Sequence, residues 1–228
     1  MGNVIVVLVE GITDQISLES VIEDIFSKYK INFYLFEGDI TTRTGITPSN
    51  IKKNIGDFIN YEIKKKGLSG KDIKEVIHIV DTDGAFCKEE YMEIGDVKKF
   101  YYTEDKIIAK NINDIKIRNE HKTLNLNALI NMDKILRNVP YKIYYFSSNL
   151  EHVFHNCLNL NSETKRKLAN ELEDRFEENP NLFLEIINSQ NIKAPGNYEE
   201  SWKYLKLNNN SLKRASNLHL YFLEKKII

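Results

Sequence analysis

Val4-Ile5-Val6-Val7-Leu8-Val9-Glu10-Gly11-Ile12-Thr13-Asp14 stands near the start of the chain, and its reading decides the rest. Val4 to Val9 is an unbroken β-branched and aliphatic run, the pattern of a strand buried on both faces of a parallel sheet. Glu10 ends it, and Thr13 or Asp14 can cap a following helix. Beyond them Ile16, Leu18, Val21, Ile22, Ile25 and Phe26 recur at helical spacing and form one apolar stripe.

The same alternation continues outward. Ile31 to Phe36 reads as a second strand, and the polar stretch Glu37 to Pro48 as a loop. Ser49 to Lys66 reads as a helix with Ile51, Ile55, Phe58, Ile59 and Ile63 facing inward, stopped by Gly67 and Gly70. Glu75 to Val80 forms a third strand that runs into Asp81-Thr82-Asp83-Gly84. A β-α-β-α-β order with short loops predicts an α/β fold, a parallel sheet flanked by helices with right-handed crossovers. Further on, Val97 to Tyr102 is expected as an edge strand, Leu124 to Leu136 as a helix and Tyr141 to Phe146 as a strand. A helix over Leu150 to Leu158 follows. The last third reads as helices over Ser162 to Glu178, Leu182 to Asn188 and Ser211 to Lys226. The expected organisation is an α/β core over residues 1–150 and a helical extension over 151–228.

The 228 residues are 42% hydrophobic and 29% charged, enough to build a core. The 32 Lys and Arg nearly cancel 33 Asp and Glu, for a formal charge of −1. This argues against a protein that coats nucleic acid by phosphate neutralisation alone. It leaves metal-dependent enzymes open, because a bound cation supplies positive charge locally. Cys87 and Cys157 lack zinc-ligand spacing and read as free thiols in a reducing compartment. The apolar start is only one strand long, lacks a basic n-region and a cleavage site, and no segment reaches membrane-helix length. The expectation is a soluble, cytoplasmic protein without membrane contact. No Gly-x-x-x-x-Gly-Lys-[Ser/Thr] run is present, so ATP hydrolysis by that route is excluded.

In parallel sheets, ligands bind at the carboxyl ends of the strands. Two acidic clusters are expected there: Glu10 and Asp14 after the first strand, Asp81 and Asp83 after the third. Gly84 lets the backbone turn sharply after them. Four carboxylates at one edge repel each other unless a divalent cation neutralises them, and oxygen ligands of this kind suit Mg²⁺ or Mn²⁺.

Val9-Glu10-Gly11-Ile12-Thr13-Asp14 resembles the first Toprim motif, and Ile79-Val80-Asp81-Thr82-Asp83-Gly84 resembles the second, Asp-x-Asp. Their order and separation fit the Toprim core shared by topoisomerases, bacterial primases and OLD-type nucleases. Tyr145-Phe146-Ser147-Ser148-Asn149-Leu150-Glu151 is similar to the strand, turn and glutamate-bearing helix of the OLD-like and RloB-like branch, small Toprim proteins of phage and plasmid defence. The resemblance implies a magnesium-dependent nuclease acting on DNA or RNA. Asp81 and Asp83 would hold Mg²⁺ on the scissile phosphate, and Glu10 would bind metal or serve as general base. Asp14 would complete the shell, and Glu151 would serve a second metal. It also implies an ATPase partner; a homo-oligomer is compatible with the sequence. Gly11, Thr13, Ser147 and Ser148 are the candidate nucleic-acid contacts. A lysine is expected against the phosphate, with no single candidate.

Other features carry blander readings. His152 and His155 offer ligands on one helical face beside Glu151, but without further His or Cys a zinc site is disfavoured. His78, inside a strand, reads as a core residue. Glu37-Gly38-Asp39 lies on the metal edge yet reads mainly as a turn, and the loop Thr41 to Gly45 could touch a phosphate backbone. Lys64-Lys65-Lys66 and Lys165-Arg166-Lys167 read as solvated helix faces, and Trp202 with Tyr198 and Tyr204 as packing of a late helix. Two rival functions remain: an inactive regulatory or nucleic-acid-binding module with the same acids, and a receiver-like or hydrolase-like α/β protein. The second would want paired acids after strand one, where Glu10 has no acidic neighbour.

Overall fold

The computed structural model describes residues 2–36 and 38–228; Glu37 lies outside the described residues. The aliphatic run becomes β1 (Val4–Val9), buried along its whole length. Val4, Val6 and Leu8 enter one apolar cluster and Ile5, Val7 and Val9 the other, so β1 is covered on both faces. Each such side chain contributes roughly 1.5–3 kcal/mol relative to exposure.

After β1 come α1 (Ile12–Ile25), β2 (Lys30–Leu35), α2 (Ile51–Lys65) and β3 (Ile73–Asp81), the expected β-α-β-α-β order. The next segment departs from expectation. Only Tyr101–Tyr102 of the predicted edge strand is extended. As β5 it joins β4 (Met92–Ile94) and β6 (Ile107–Ala109) in a separate small sheet ordered β4-β6-β5. The helix expected at 124–136 is α3 (Ile112–Ile130), which begins twelve residues earlier. β7 (Lys134–Ile135) then turns into β8 (Val139–Phe146). The main sheet is ordered β2-β1-β3-β8-β7, with β2, β1, β3 and β8 parallel and β7 antiparallel at the edge.

The last third is helical: α4 (Leu150–His155), α5 (Ser162–Glu178), α6 (Pro180–Ile187), α7 (Tyr198–Leu205) and α8 (His219–Glu224). α7 is the late helix in which Tyr198, Trp202 and Tyr204 were expected to pack, and α8 is the shorter remnant of the helix expected from Ser211. Helices α1, α4, α5, α6 and α8 share one apolar cluster with Ile77, Ile79, Tyr144 and Phe146 of the sheet. Trp202 packs edge-on against Tyr145 on the opposite face, the packing role expected of it. The chain after residue 150 thus completes a core that the first 150 residues begin. Among the described residues, no helix is long and apolar enough to cross a membrane.

Candidate metal centre

β1 and β3 lie side by side in parallel register, Leu8 opposite His78, so both acidic strand ends emerge at the same edge. Glu10 leaves the tip of β1 and is buried. Asp14 sits in the first turn of α1, where its Oδ2 accepts the Gly11 N–H at 2.9 Å. Asp81 closes β3. Asp83 and Gly84 follow with φ of 46° and 72°, two consecutive left-handed residues. A Cβ at Gly84 would lie 2.6 Å from Ile107 and 2.8 Å from Leu212, which reserves the position for glycine.

That turn is tied to the tip of β8. The Thr82 N–H donates to the Phe146 carbonyl at 3.1 Å and the Asp83 N–H to the Ser148 carbonyl at 2.9 Å. The Ser148 N–H donates to Thr82 Oγ1 at 2.9 Å. Asn149 caps α4 by accepting the His152 N–H, and this brings Glu151, buried, to the same edge.

The site's first lysine comes from α3. Lys122 is fully buried; its Nζ lies 2.6 Å from Asp39 Oδ2, 2.9 Å from Asp83 Oδ2 and 4.0 Å from Glu10 Oε2. Asp39 also accepts from the Thr41 N–H at 2.7 Å and from the hydroxyls of Thr41 and Thr42. Burial pushes the Asp39 carboxyl up, but the Lys122 charge and these hydrogen bonds outweigh it and hold the group well below the usual carboxylate range. Glu10 goes the other way. Burial raises it well above its ordinary value, Lys122 opposes this, and Asp39 and Asp83 reinforce it. Glu10, Asp39 and Asp83 each present an oxygen within 4.8 Å of the others.

A second group adjoins the first. Glu151 Oε2 accepts from Lys165 Nζ at 2.9 Å. Burial, then the charge of Glu151, pushes Asp14 up to about 7, against the Gly11 hydrogen bond and Lys165. Asp81 is raised well above its ordinary value by burial, with Asp14, Asp83, Glu10 and Glu151 all adding to the effect. Six carboxylates thus share two lysines, which leaves four negative charges uncompensated when all are ionised. Glu10 Oε1 and Glu151 Oε1 are buried with no hydrogen-bond partner. Orphaned carboxylate oxygens in a cluster short of positive charge are the donor set a hard divalent cation takes.

Glu10, Asp14, Asp81, Asp83 and Glu151, all expected from the sequence, therefore meet at one edge. Asp39, read mainly as a turn residue, belongs with them; Lys122 is a lysine the sequence could not single out, and Lys165, read as part of a solvated helix face, instead turns to Glu151. Other expectations need correction. Ser147 and Ser148 are buried; Ser147 Oγ donates to the Asn210 carbonyl at 3.1 Å, and Ser148 ties the Asp83 turn in place. Neither is available to a nucleic-acid backbone. Gly11 and Thr13 are half-buried at the start of α1, where the Gly11 N–H donates to Asp14 and the Thr13 carbonyl accepts from Ser17 Oγ. In the loop read as a phosphate contact, Thr41 and Thr42 are spent on Asp39 instead. His78 bonds Tyr141 at 2.7 Å inside the core, as expected. Among the described residues, no metal-ligand grouping includes His152 or His155.

No family model matches the chain, and neither curated proteins nor solved structures give a match.

Proposed function

We propose that this chain is a cytoplasmic Toprim-type nuclease that cleaves phosphodiester bonds of DNA or RNA with Mg²⁺ or Mn²⁺. On this reading residues 1–150 are a Toprim core and 151–228 its helical extension. The observation that carries it is the pooling of Glu10, Asp81 and Asp83 at adjacent parallel strand tips, joined by Asp14, Asp39 and Glu151. Glu10, Asp39 and Asp83 would hold a cation from one side, Asp14, Asp81 and Glu151 from the other. Bound there, the cation supplies the positive charge that polarises a phosphate and acidifies a water.

The chain's own groups do the rest. Glu10, whose carboxyl burial makes more basic, is suited to take the proton of an attacking water when it is not itself a ligand of the cation. Lys122 fixes Asp39 and Asp83 and offsets charge that builds on a pentacoordinate phosphorus. Lys165 orients Glu151. A role in phage or plasmid defence and an ATPase partner rest on the motif resemblance alone, and a homo-oligomer is compatible with the sequence.

One observation favours a second reading, an inactive regulatory or nucleic-acid-binding module. The Lys122 ammonium already pairs with Asp39 and Asp83, so part of the cluster's charge is met without a metal. Incubation with plasmid and with tRNA in Mg²⁺ or Mn²⁺ decides between them. The nuclease reading expects cleavage that falls at least ~10²-fold in Asp83→Ala. Cleavage that survives the substitution defeats the site assignment, and none by the parent protein favours the inactive module.

A further inference from the structure

Beside Asp83 the structure opens a cleft of about 590 Å³, lined by Asp83, Asn149 and Lys165 on the side of the carboxylates and by Lys98, Lys99 and Tyr101 on the other. Its outer wall is the segment from Val97 to Tyr102, a run of two lysines and three aromatic residues. The wall is fastened to the body at its Phe100–Tyr102 end. The Tyr102 N–H donates to Asn159 Oδ1 at 2.7 Å, and Asn159 Nδ2 donates back to the Tyr102 carbonyl at 2.7 Å. Arg118 of α3 donates to the Tyr102 hydroxyl at 2.8 Å and to the Asp83 carbonyl at 2.6 Å, with its guanidinium over the Phe100 ring. One arginine therefore sets the wall and the Asp-x-Asp turn at a fixed distance.

What the wall leaves free is informative. Phe100 and Tyr102 are engaged by Arg118, whereas Tyr101 keeps 46% of its surface exposed. Lys98 and Lys99 are exposed and, among the described residues, have no ion-pair partner. Other lysines of the same small sheet are paired, Lys106 with Glu93 and Lys110 with Asp96. Two unpaired cations next to an unengaged aromatic ring offer charge to the phosphates and a stacking face to a base of one nucleic-acid strand. A ring takes a base only when that base is unstacked, which a duplex does not offer.

The geometry points to this cleft as a binding groove for single-stranded nucleic acid, with Lys98 and Lys99 on backbone phosphates and Tyr101 stacked on an unpaired base. The strand is thereby led to Asp83 past Lys165. The inference rests on the nuclease reading only for what happens at the carboxylates; strand binding stands apart from it.

Fluorescence anisotropy with a labelled 12-nucleotide single strand and the matching duplex, in Ca²⁺ in place of Mg²⁺, tests it. The strand is expected to bind at least tenfold more tightly than the duplex. Lys98→Ala with Lys99→Ala should lower the slope of log affinity against log salt by about 1.4, the share of two phosphate contacts on a single strand. Tyr101→Ala should cost about tenfold, and Tyr101→Phe should retain the parent affinity. All three residues are exposed, and unchanged thermal unfolding of the variants verifies the fold. Equal affinity for strand and duplex, or parent affinity in both alanine variants, overturns the groove even if Asp83→Ala abolishes cleavage. Strand-selective binding that the variants weaken, in a protein that cuts nothing, upholds the groove and defeats the nuclease reading.

Discussion

Two lysines serve the carboxylate cluster, in different circumstances. Lys122 is wholly buried and touches Asp39 and Asp83 directly, with Glu10 at 4.0 Å. Lys165 keeps 31% of its side chain in solvent and pairs with Glu151. Around Lys122 the charges are locked into the fold: the loop after β2, the tip of β1 and the Asp-x-Asp turn converge on one ammonium. Around Lys165 burial raises both Asp14 and Asp81, with the Glu151 charge adding to Asp14 and the Asp14 charge adding to Asp81. The contrast separates a half whose acids are tied together through a wholly buried ammonium from a half whose lysine stands partly in solvent.

Removing Lys122 should have the largest effect. Lys122→Met leaves buried carboxylates without their counter-charge and is expected to cost about 3–5 kcal/mol in urea denaturation. For a chain of this size that is a fall in Tm on the order of 10 °C. A loss under 1 kcal/mol would break the distinction between the two halves.

The next effect is a pH dependence carried by the other half. Asp14 has a folded value of about 7 against an ordinary 3.8, so between these values the native state holds a proton that the unfolded chain releases. With cations chelated, stability should therefore fall as pH rises from about 4 to about 7 and level off above. A single group of this kind contributes up to ~1.4 kcal/mol per pH unit. Glu10 and Asp81 are shifted in the same direction and add to the trend. Asp14→Asn should flatten the slope measured by urea denaturation; an unchanged slope would contradict the assignment.

Lys165→Met should cost less than Lys122→Met, about 1–2 kcal/mol for one charged hydrogen bond to Glu151. Smallest is Thr82→Val, which removes the acceptor for the Ser148 N–H and the hydroxyl donated to the Ser211 carbonyl. It should cost about 1 kcal/mol and leave the response to Lys122→Met unaltered.

The same division marks what the sequence made legible. Val4 to Val9 and Ile79 to Asp83 were readable because a doubly buried strand admits almost nothing but aliphatic residues, and the acids that interrupt it stand out. α3 was not, because its inward stripe is polar where it meets the site. Asn119 donates to the Gly84 carbonyl, Lys122 to Asp39 and Asp83, and Asn125 to the Thr41 carbonyl. Only Ile115, Leu126 and Leu129 continue it as apolar residues, so its first half shows no hydrophobic period. Asp39 was under-read for a related reason: nothing local separates an aspartate that turns a loop from one that pairs with a lysine 83 positions away. Ser147 and Ser148 illustrate the reverse error: both are buried beside the acidic site, the Ser147 hydroxyl donating to the Asn210 carbonyl and the Ser148 backbone N–H to Thr82 Oγ1.

The central claim is that these carboxylates are a divalent-cation site, and calorimetric titration of Mn²⁺ into the chelator-stripped protein tests it most directly. Saturable binding by the parent protein, abolished in the Asp81→Ala, Asp83→Ala double variant, is the expected result. Equal uptake by the variant, or none by the parent, would contradict the account.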